Sequence, residues 1–212
     1  MYKKFCIILF VSIFVSIAVC TDACADNPDN HAPKLWQVGM SIGYANYPSS
    51  QLEEGNTAVG RLALRINALR LERLTCGLEV GLQNGNDMDF AQSLRTVIDI
   101  PAVHLTVKPT IDFLGTLQVS LTESIFILLN GGVAYRQLCV SESSITGKQQ
   151  LSGELQAGLG MKITSETKVV VYYQGIYSNG HTFFEPGPLN IGGSIKNIPT
   201  QHAGFLGVEI AL

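Results

Sequence analysis

Cysteine is scarce in this chain of 212 residues, and three of the five, Cys6, Cys20 and Cys24, lie in its first segment. Only Cys76 and Cys139 fall in the remainder, too few for a disulfide-stapled secreted scaffold. Charge is sparse as well: charged residues make up 15% of the chain, with 14 Lys and Arg against 17 Asp and Glu. That balance gives no basic footprint for nucleic acid. After residue 25 no apolar run is long enough for a transmembrane helix. Metal-ligand spacing is missing too. His104 and His202 stand apart from Cys, Asp or Glu at such spacing, and Asn86-Asp87-Met88-Asp89 lacks a full calcium loop. Gly192-Gly193 has none of the surroundings of a nucleotide-binding loop, so neither a metal nor a cofactor is expected.

What is present begins with an export signal. Lys3 and Lys4 precede an apolar run from Phe5 to Val19, and Ala23-Cys24-Ala25 supplies the small-x-small pattern of a cleavage site. The run is too short to span a bilayer comfortably, so residues 1–25 are expected to be removed, leaving 26–34 as a short periplasmic tail. A lipid-modified cysteine would have to be Cys20 or Cys24, but Val19 before one and Asp22 close to the other are poor contexts. Cleavage takes away Lys3, Lys4 and Asp22 and leaves 12 basic against 16 acidic side chains, a net of −4.

The remaining chain, about one domain in length, is written in period two. From Lys34 to Asn46, Trp36, Val38, Met40, Ile42 and Tyr44 fall on one face, and Gln37, Gly39, Ser41, Gly43 and Ala45 on the other. The pattern repeats. Leu62, Leu64 and Ile66 oppose Arg61, Ala63, Arg65 and Asn67; Leu74 to Leu82 alternate with Thr75 to Gln83; Ile111 to Leu121 alternate with Asp112 to Ser120. Further on, Leu129, Val133 and Tyr135 oppose Asn130, Gly132, Ala134 and Arg136, and Leu151 to Ile163 alternate with Ser152 to Lys162. Lys168 to Tyr177 is apolar on both faces and its parity stays open. In the last segment Gly204, Leu206, Val208, Ile210 and Leu212 oppose Ala203, Phe205, Gly207, Glu209 and Ala211.

Eight such segments are joined by connections of alternating length. Residues 68–72, 122–124 and 164–167 read as tight turns, and 47–57, 84–109, 138–150 and 178–200 as long loops. Strands in lipid must close on themselves, because an open edge leaves backbone groups without partners. The expected fold is therefore all-β: a single antiparallel up-and-down transmembrane barrel over 35–212, with eight strands and short turns on the periplasmic side. Leu94–Ile100 and Ala102–Val107 also look strand-like, as upward extensions or an extra hairpin, and leave a ten-strand barrel as the alternative. Trp36 at one boundary and Tyr44, Tyr135 and Tyr177 at the other fit the aromatic belts of a membrane-spanning protein.

The chain ends Gly207-Val208-Glu209-Ile210-Ala211-Leu212, with Gly207, Ile210 and Leu212 at the positions of a barrel insertion signal and Leu212 where an aromatic residue is usual. Together with segments such as Ile111–Leu117 and Gly131–Arg136, this resembles the OmpA-type transmembrane barrel and the opacity-like surface antigens of the outer-membrane β-barrel class. The resemblance implies a Gram-negative outer-membrane location, handling by the barrel assembly machinery, contact with lipopolysaccharide, and a structural and surface-interaction role with host or envelope ligands at the loops.

On the inward parity lie Arg61, Arg65, Glu79, Asp112, Arg136, Glu154, Lys162 and Glu209. Charges on the lipid face would cost a few kcal/mol each, so they are expected inside, as a paired ionic plug filling a lumen little wider than its side chains. A gated ion path, and with it a narrow porin-like channel, is the functional alternative. An outer-membrane lipid enzyme is the second. Tyr177-Ser178-Asn179-Gly180 is similar to the serine segment of lipid A deacylase barrels, but the base position two residues before Ser178 is Ile176, and His181 follows instead. A serine with no positioned base is a poor nucleophile, so no catalytic residue is expected. Phe183 and Phe184 are the candidate loop contact, either exposed to a partner or folded onto the rim. Cys76 and Cys139 are expected at opposite ends of the barrel, too far apart to bridge.

Overall fold

The computed structural model describes residues 35–48, 52–53, 56–90, 104–141, 145–180, 182–187 and 193–212. The strands are β1 (Trp36–Asn46), β2 (Leu52–Glu53), β3 (Asn56–Arg70), β4 (Leu74–Gln83), β5 (Asn86–Phe90), β6 (His104–Val107) and β7 (Thr110–Ser120). They continue as β8 (Ile125–Val140), β9 (Ile145–Thr146), β10 (Lys148–Lys162), β11 (Thr167–Tyr177), β12 (Phe184–Pro186), β13 (Gly193–Ile195) and β14 (Gln201–Ala211). Eight of them close a barrel in the order β1-β3-β4-β7-β8-β10-β11-β14, every pair antiparallel, with β14 returning to β1. The seam is continuous from Gln37 opposite Ala211 to Asn46 opposite His202.

The alternation read from the sequence is the alternation of the wall. Met40, Ile42, Leu62, Phe113, Leu155, Leu159, Val171 and Leu206 are exposed on the outside, while Gln37, Arg65, Glu79, Asp112, Gln156 and Glu209 are buried inside. Burying charge and exposing large apolar side chains around the whole girth inverts a soluble protein and suits a barrel whose solvent is lipid. Trp36 marks one boundary of this belt, at the short-turn end, and Tyr44, Tyr135, Tyr173 and Tyr177 the other. No helix among the described residues is long and apolar enough to cross a membrane; the crossing is made by strands.

The tight turns have a local cause. Thr122 Oγ1 accepts from the backbone N–H of Ser124 and Ile125, and Thr164 Oγ1 from those of Glu166 and Thr167. A threonine hydroxyl that satisfies two donors can close a turn without glycine. At the turn between β3 and β4, Leu71 and Leu74 exchange backbone hydrogen bonds, after a register shift between Asn67 and Leu69.

At the other end the wall runs on past the membrane. β3, β8 and β10 have 15, 16 and 15 residues, more than the nine to eleven or so that cross the hydrocarbon. β5 and β6 form a hairpin, β2 pairs with β5, and β6 joins only the upper end of β8, from Leu138 to Val140. This is why the barrel has eight strands and not ten: β6 repeats the alternation of a wall strand but sits above the ring that β7, β8 and β10 close. Leu94–Ile100 lies outside the described residues.

Candidate functional site

The inner face of the barrel carries three stacked layers, starting at the middle with an ion cluster. Arg61 reaches Asp112 through Nε (3.0 Å) and Nη2 (2.5 Å), and Glu79 through Nη2 (2.7 Å). Arg65 donates to Glu79 from Nε (2.9 Å) and Nη2 (2.6 Å) and to Glu209 from Nη1 (3.2 Å) and Nη2 (3.0 Å). Glu79 is thus shared by both guanidiniums. The register makes the cluster: Arg65 lies opposite Glu79 and Gly81 opposite Asp112. At Gly81 an added Cβ would lie 2.2 Å from Arg61 Nη2 and 2.5 Å from both Asp112 oxygens, so a residue without a side chain is what lets this pair meet.

Above the cluster lies a chain of amides. Asn130 Nδ2 donates to Gln156 Oε1 (2.9 Å), and Gln156 Nε2 to Glu154 Oε1 (2.7 Å). Gln174 Nε2 donates to the same Glu154 oxygen (2.7 Å), and Gln201 Nε2 to Gln174 Oε1 (3.2 Å). Tyr47, just beyond β1, completes the chain by donating to Gln201 Oε1 (2.8 Å) with Asn86 Oδ1 also in reach (3.0 Å). Burial pushes the Tyr47 hydroxyl up to about 12, against the pull of the Arg136 charge.

Arg136 is fully buried and does not join the carboxylates. It donates to the backbone carbonyls of Pro199 (2.7 Å) and Ile198 (3.1 Å), and to Ser152 Oγ (3.2 Å). Gln150 Oε1 accepts from the Ile198 N–H (2.8 Å). The stretch before β14 is therefore strapped into the outer mouth by its own backbone. Over it, β12 and β13 form a hairpin to which β9 adds in parallel. Their apolar side chains, Ile145, Phe183, Phe184 and Ile195, join Leu105, Leu138, Met88 and Ile198 in one buried cluster. At the short-turn end Phe126 packs on Gly160, where a Cβ would lie 2.1 Å from its ring, and Lys168 sits 5.3 Å above that ring while donating to Gln118 (2.9 Å). Between these layers the cavity beside Arg61, Glu79 and Tyr172 holds about 20 Å³, room for about one water.

Of the eight inward charges read from the sequence, Arg61, Arg65, Glu79, Asp112 and Glu209 come together, Glu154 is held by amides, Arg136 by carbonyls, and Lys162 lies half-buried at the short-turn rim. The expectation of mutual pairing is thereby corrected for Arg136, Glu154 and Lys162. Phe183 and Phe184 are buried in the cap, so they form no exposed contact surface. Gly207 turns inward against Ser41, while Ile210 and Leu212 face outward. Ser178 donates to the Gly180 carbonyl (2.9 Å), Ile176 is fully buried, and His181 lies outside the described residues. Cys76 starts one span at the short-turn end and Cys139 ends another at the loop end, and they form no bridge. His104, isolated in sequence, meets Asp89 across the β5–β6 hairpin (2.8 Å), yet no group of three metal-type ligands occurs among the described residues. The residues that sequence reasoning passed over are the glutamines and Lys168. The signal for Gln83, Gln118 and Gln156 was there, since each lies on the inward parity of its strand.

No family model matches the chain, and no curated protein matches it. Solved structures do. Neisserial surface protein A is 12% identical, with a TM-score of 0.50 over 84% of this chain and 97% of that one. Ail, the attachment invasion locus protein of Yersinia pestis, solved with the heparin analogue sucrose octasulfate, is 9% identical, with a TM-score of 0.48 over 83% and 98%. The outer membrane protein AlkL, solved in lipid bilayers, is 12% identical, with a TM-score of 0.47 over 88% and 95%. The first of these likenesses shows a shared fold. The chain has the closed eight-strand antiparallel architecture of outer-membrane barrels, the class that includes the OmpA-type and opacity-like proteins.

Proposed function

We propose that this protein is a closed outer-membrane scaffold that presents its long loops at the Gram-negative cell surface as an interaction or adhesion surface. The observation that carries the reading is the filled lumen: an ion cluster, an amide chain and a strapped mouth occupy the barrel from its middle to its outer end, with about 20 Å³ of free space beside the cluster. A path for ions would need displaced charges at the middle layer, where Arg61, Arg65, Glu79, Asp112 and Glu209 hold one another. The cap also supports it. β9, β12 and β13 give the third and fourth long connections a defined shape, which a rigid display surface requires. Ligands at that surface would be host or envelope components and lipopolysaccharide, and Gly207, Ile210 and Leu212 at the chain end would serve recognition by the barrel assembly machinery.

The test is single-channel recording of the folded mature chain in a planar bilayer, alongside adhesion of cells carrying the protein with and without residues 182–187 and 193–197. Silent bilayers and adhesion lost with the cap support the reading. Large steady current steps overturn the closed scaffold in favour of a channel, and adhesion unchanged without the cap removes the display role.

A further inference from the structure

The outer wall is not evenly convex. Where β10, β11, β14, β1 and β3 adjoin, it carries a broad, shallow furrow open to the lipid. The register places Ala58, Tyr44, Gly204, Tyr173 and Ala157 side by side in one row across these strands, all on the lipid face. In the next row stand Gly60, Ile42, Leu206, Val171 and Leu159. Gly204 is the floor of the upper row: a Cβ built there meets nothing within 4 Å. Tyr44 and Tyr173 are one strand to either side of it, roughly 10 Å apart.

Behind the furrow, the rings of Tyr172 and Phe205 stack inside the barrel with centroids 5.0 Å apart. Gly43 and Gly158 sit beside them, where an added Cβ would lie 2.2 Å from the Gly204 carbonyl and 2.3 Å from the Val171 carbonyl. With no side chains at these two points, there is room for the stacked pair and for close approach of the neighbouring strands. At the loop end the furrow meets polar groups. The Tyr173 hydroxyl and His202 Nδ1 are hydrogen-bonded, and the imidazole stacks on Tyr173 and meets Tyr177 edge-on. No Lys or Arg is among the described residues that line the furrow.

We propose that this furrow binds one acyl chain of an outer-leaflet glycolipid, with Tyr44, Tyr173 and His202 meeting the ester and sugar oxygens at its head. The proposal rests on the reading of the long loops as the cell-surface side. The furrow is continuous with the lipid-contacting belt, so an acyl chain is the occupant already in contact with its walls. A straight chain seated between two rings buries more apolar surface than one lying on a convex wall. Hydroxyl and imidazole groups suit sugar and ester oxygens.

The experiment folds the mature chain into nanodiscs of phosphatidylcholine containing lipid A, releases it, and counts retained lipids by native mass spectrometry. Gly204→Phe fills the furrow at its floor, and Gly204→Val does so with a smaller group should the ring impair folding. Gly153→Phe is the control, since Gly153 faces lipid outside the furrow with nothing within 4 Å of a Cβ. Heat-dependent gel mobility establishes that each variant is folded. The expected result is one lipid A retained by the parent and by Gly153→Phe, with occupancy at least tenfold lower in the Gly204 variants. Equal occupancy in all of them overturns the site, as does retention of phosphatidylcholine in place of lipid A, or a dimer whose formation the Gly204 variants abolish. Channel recordings test the scaffold reading separately, because the furrow lies outside the wall.

Discussion

Replacing Glu79 with glutamine is the sharpest test of the lumen, because that carboxylate alone touches both guanidiniums of the ion cluster. Glu79→Gln keeps the volume and removes the charge. Of the three short hydrogen bonds Glu79 accepts, one from Arg61 and two from Arg65, the amide oxygen can keep part, but the amide nitrogen would point a donor at another donor. Arg61 keeps Asp112, and where the amide oxygen faces Arg61, Arg65 is left with the longer contacts to Glu209, at 3.0 and 3.2 Å. Breaking a buried pair by removing one partner costs about 3–5 kcal/mol. The cluster itself moves from three carboxylates against two guanidiniums to an even count, which offsets some of that loss. The expected cost is therefore about 3 kcal/mol, near the lower end. Glu209→Gln, at the edge of the cluster, leaves Arg65 its two best bonds and is expected to cost about 1–2 kcal/mol. Urea unfolding in thin-bilayer vesicles, followed by the single tryptophan, Trp36, on the lipid face, measures both variants under one condition. If the two costs agree within about 0.5 kcal/mol, Glu79 is not the shared centre of the cluster and the reasoning fails.

The cap is predicted to be an element separable from the barrel: Phe184→Ala, at a side chain only 3% exposed, should cost the cap about 3–5 kcal/mol, and limited proteolysis should then cut the loops while the barrel fragment survives. Protection of the loops equal to the parent's would contradict this. Alkali should loosen the same region. The Tyr47 hydroxyl has its pKa raised from 10.0 to about 12, so the protonated form is favoured by folding. Its contribution is complete below pH 10 and is lost as the pH rises through about 12, worth about 2–3 kcal/mol, and a Tyr47→Phe variant should show a flatter loss over that window. Replacing residues 194–199 by a short Gly-Ser linker is expected to leave bilayers silent, because the ion cluster lies below the strap; a current appearing in that variant alone would make the strap the true barrier.

The wall was legible because lipid outside and polar contents inside impose one alternation on every strand, and because threonine-closed turns and long loops differ in length. Legibility failed where that contrast weakened. Lys168 to Tyr177 reads apolar on both faces since Val170 and Tyr172 are packed inside the barrel, Tyr172 against Phe205, while Val171 and Tyr173 meet lipid. The partners of Arg136 could not be read at all. They are carbonyls of residues 198 and 199, and a backbone acceptor has no signature in side-chain pattern. Phe183 and Phe184 look exposed in a polar loop, and only the pairing of β12, β13 and β9 gives them a core to enter. The glutamines of the lumen lay on the predicted face but carry no charge to draw attention, although they link Tyr47 to Glu154.

The hydrogen bond from Tyr47 to Gln201 spans 154 residues of chain and joins the end of the first strand to the start of the last. Neighbouring strands elsewhere in the wall can pair as hairpins while the rest of the chain is still unstructured, but this contact forms only when the ring has shut. The strap, whose residues 198 and 199 lead directly into β14 and bond to Arg136 on β8, likewise waits for the last strand to dock. Assembly therefore has a built-in order. A chain whose last strand has not docked has a mouth with no strap and a lumen without Glu209. Surface loops in their final shape report a fully closed cylinder, so loop-directed recognition at the cell surface would distinguish finished molecules from unfinished ones.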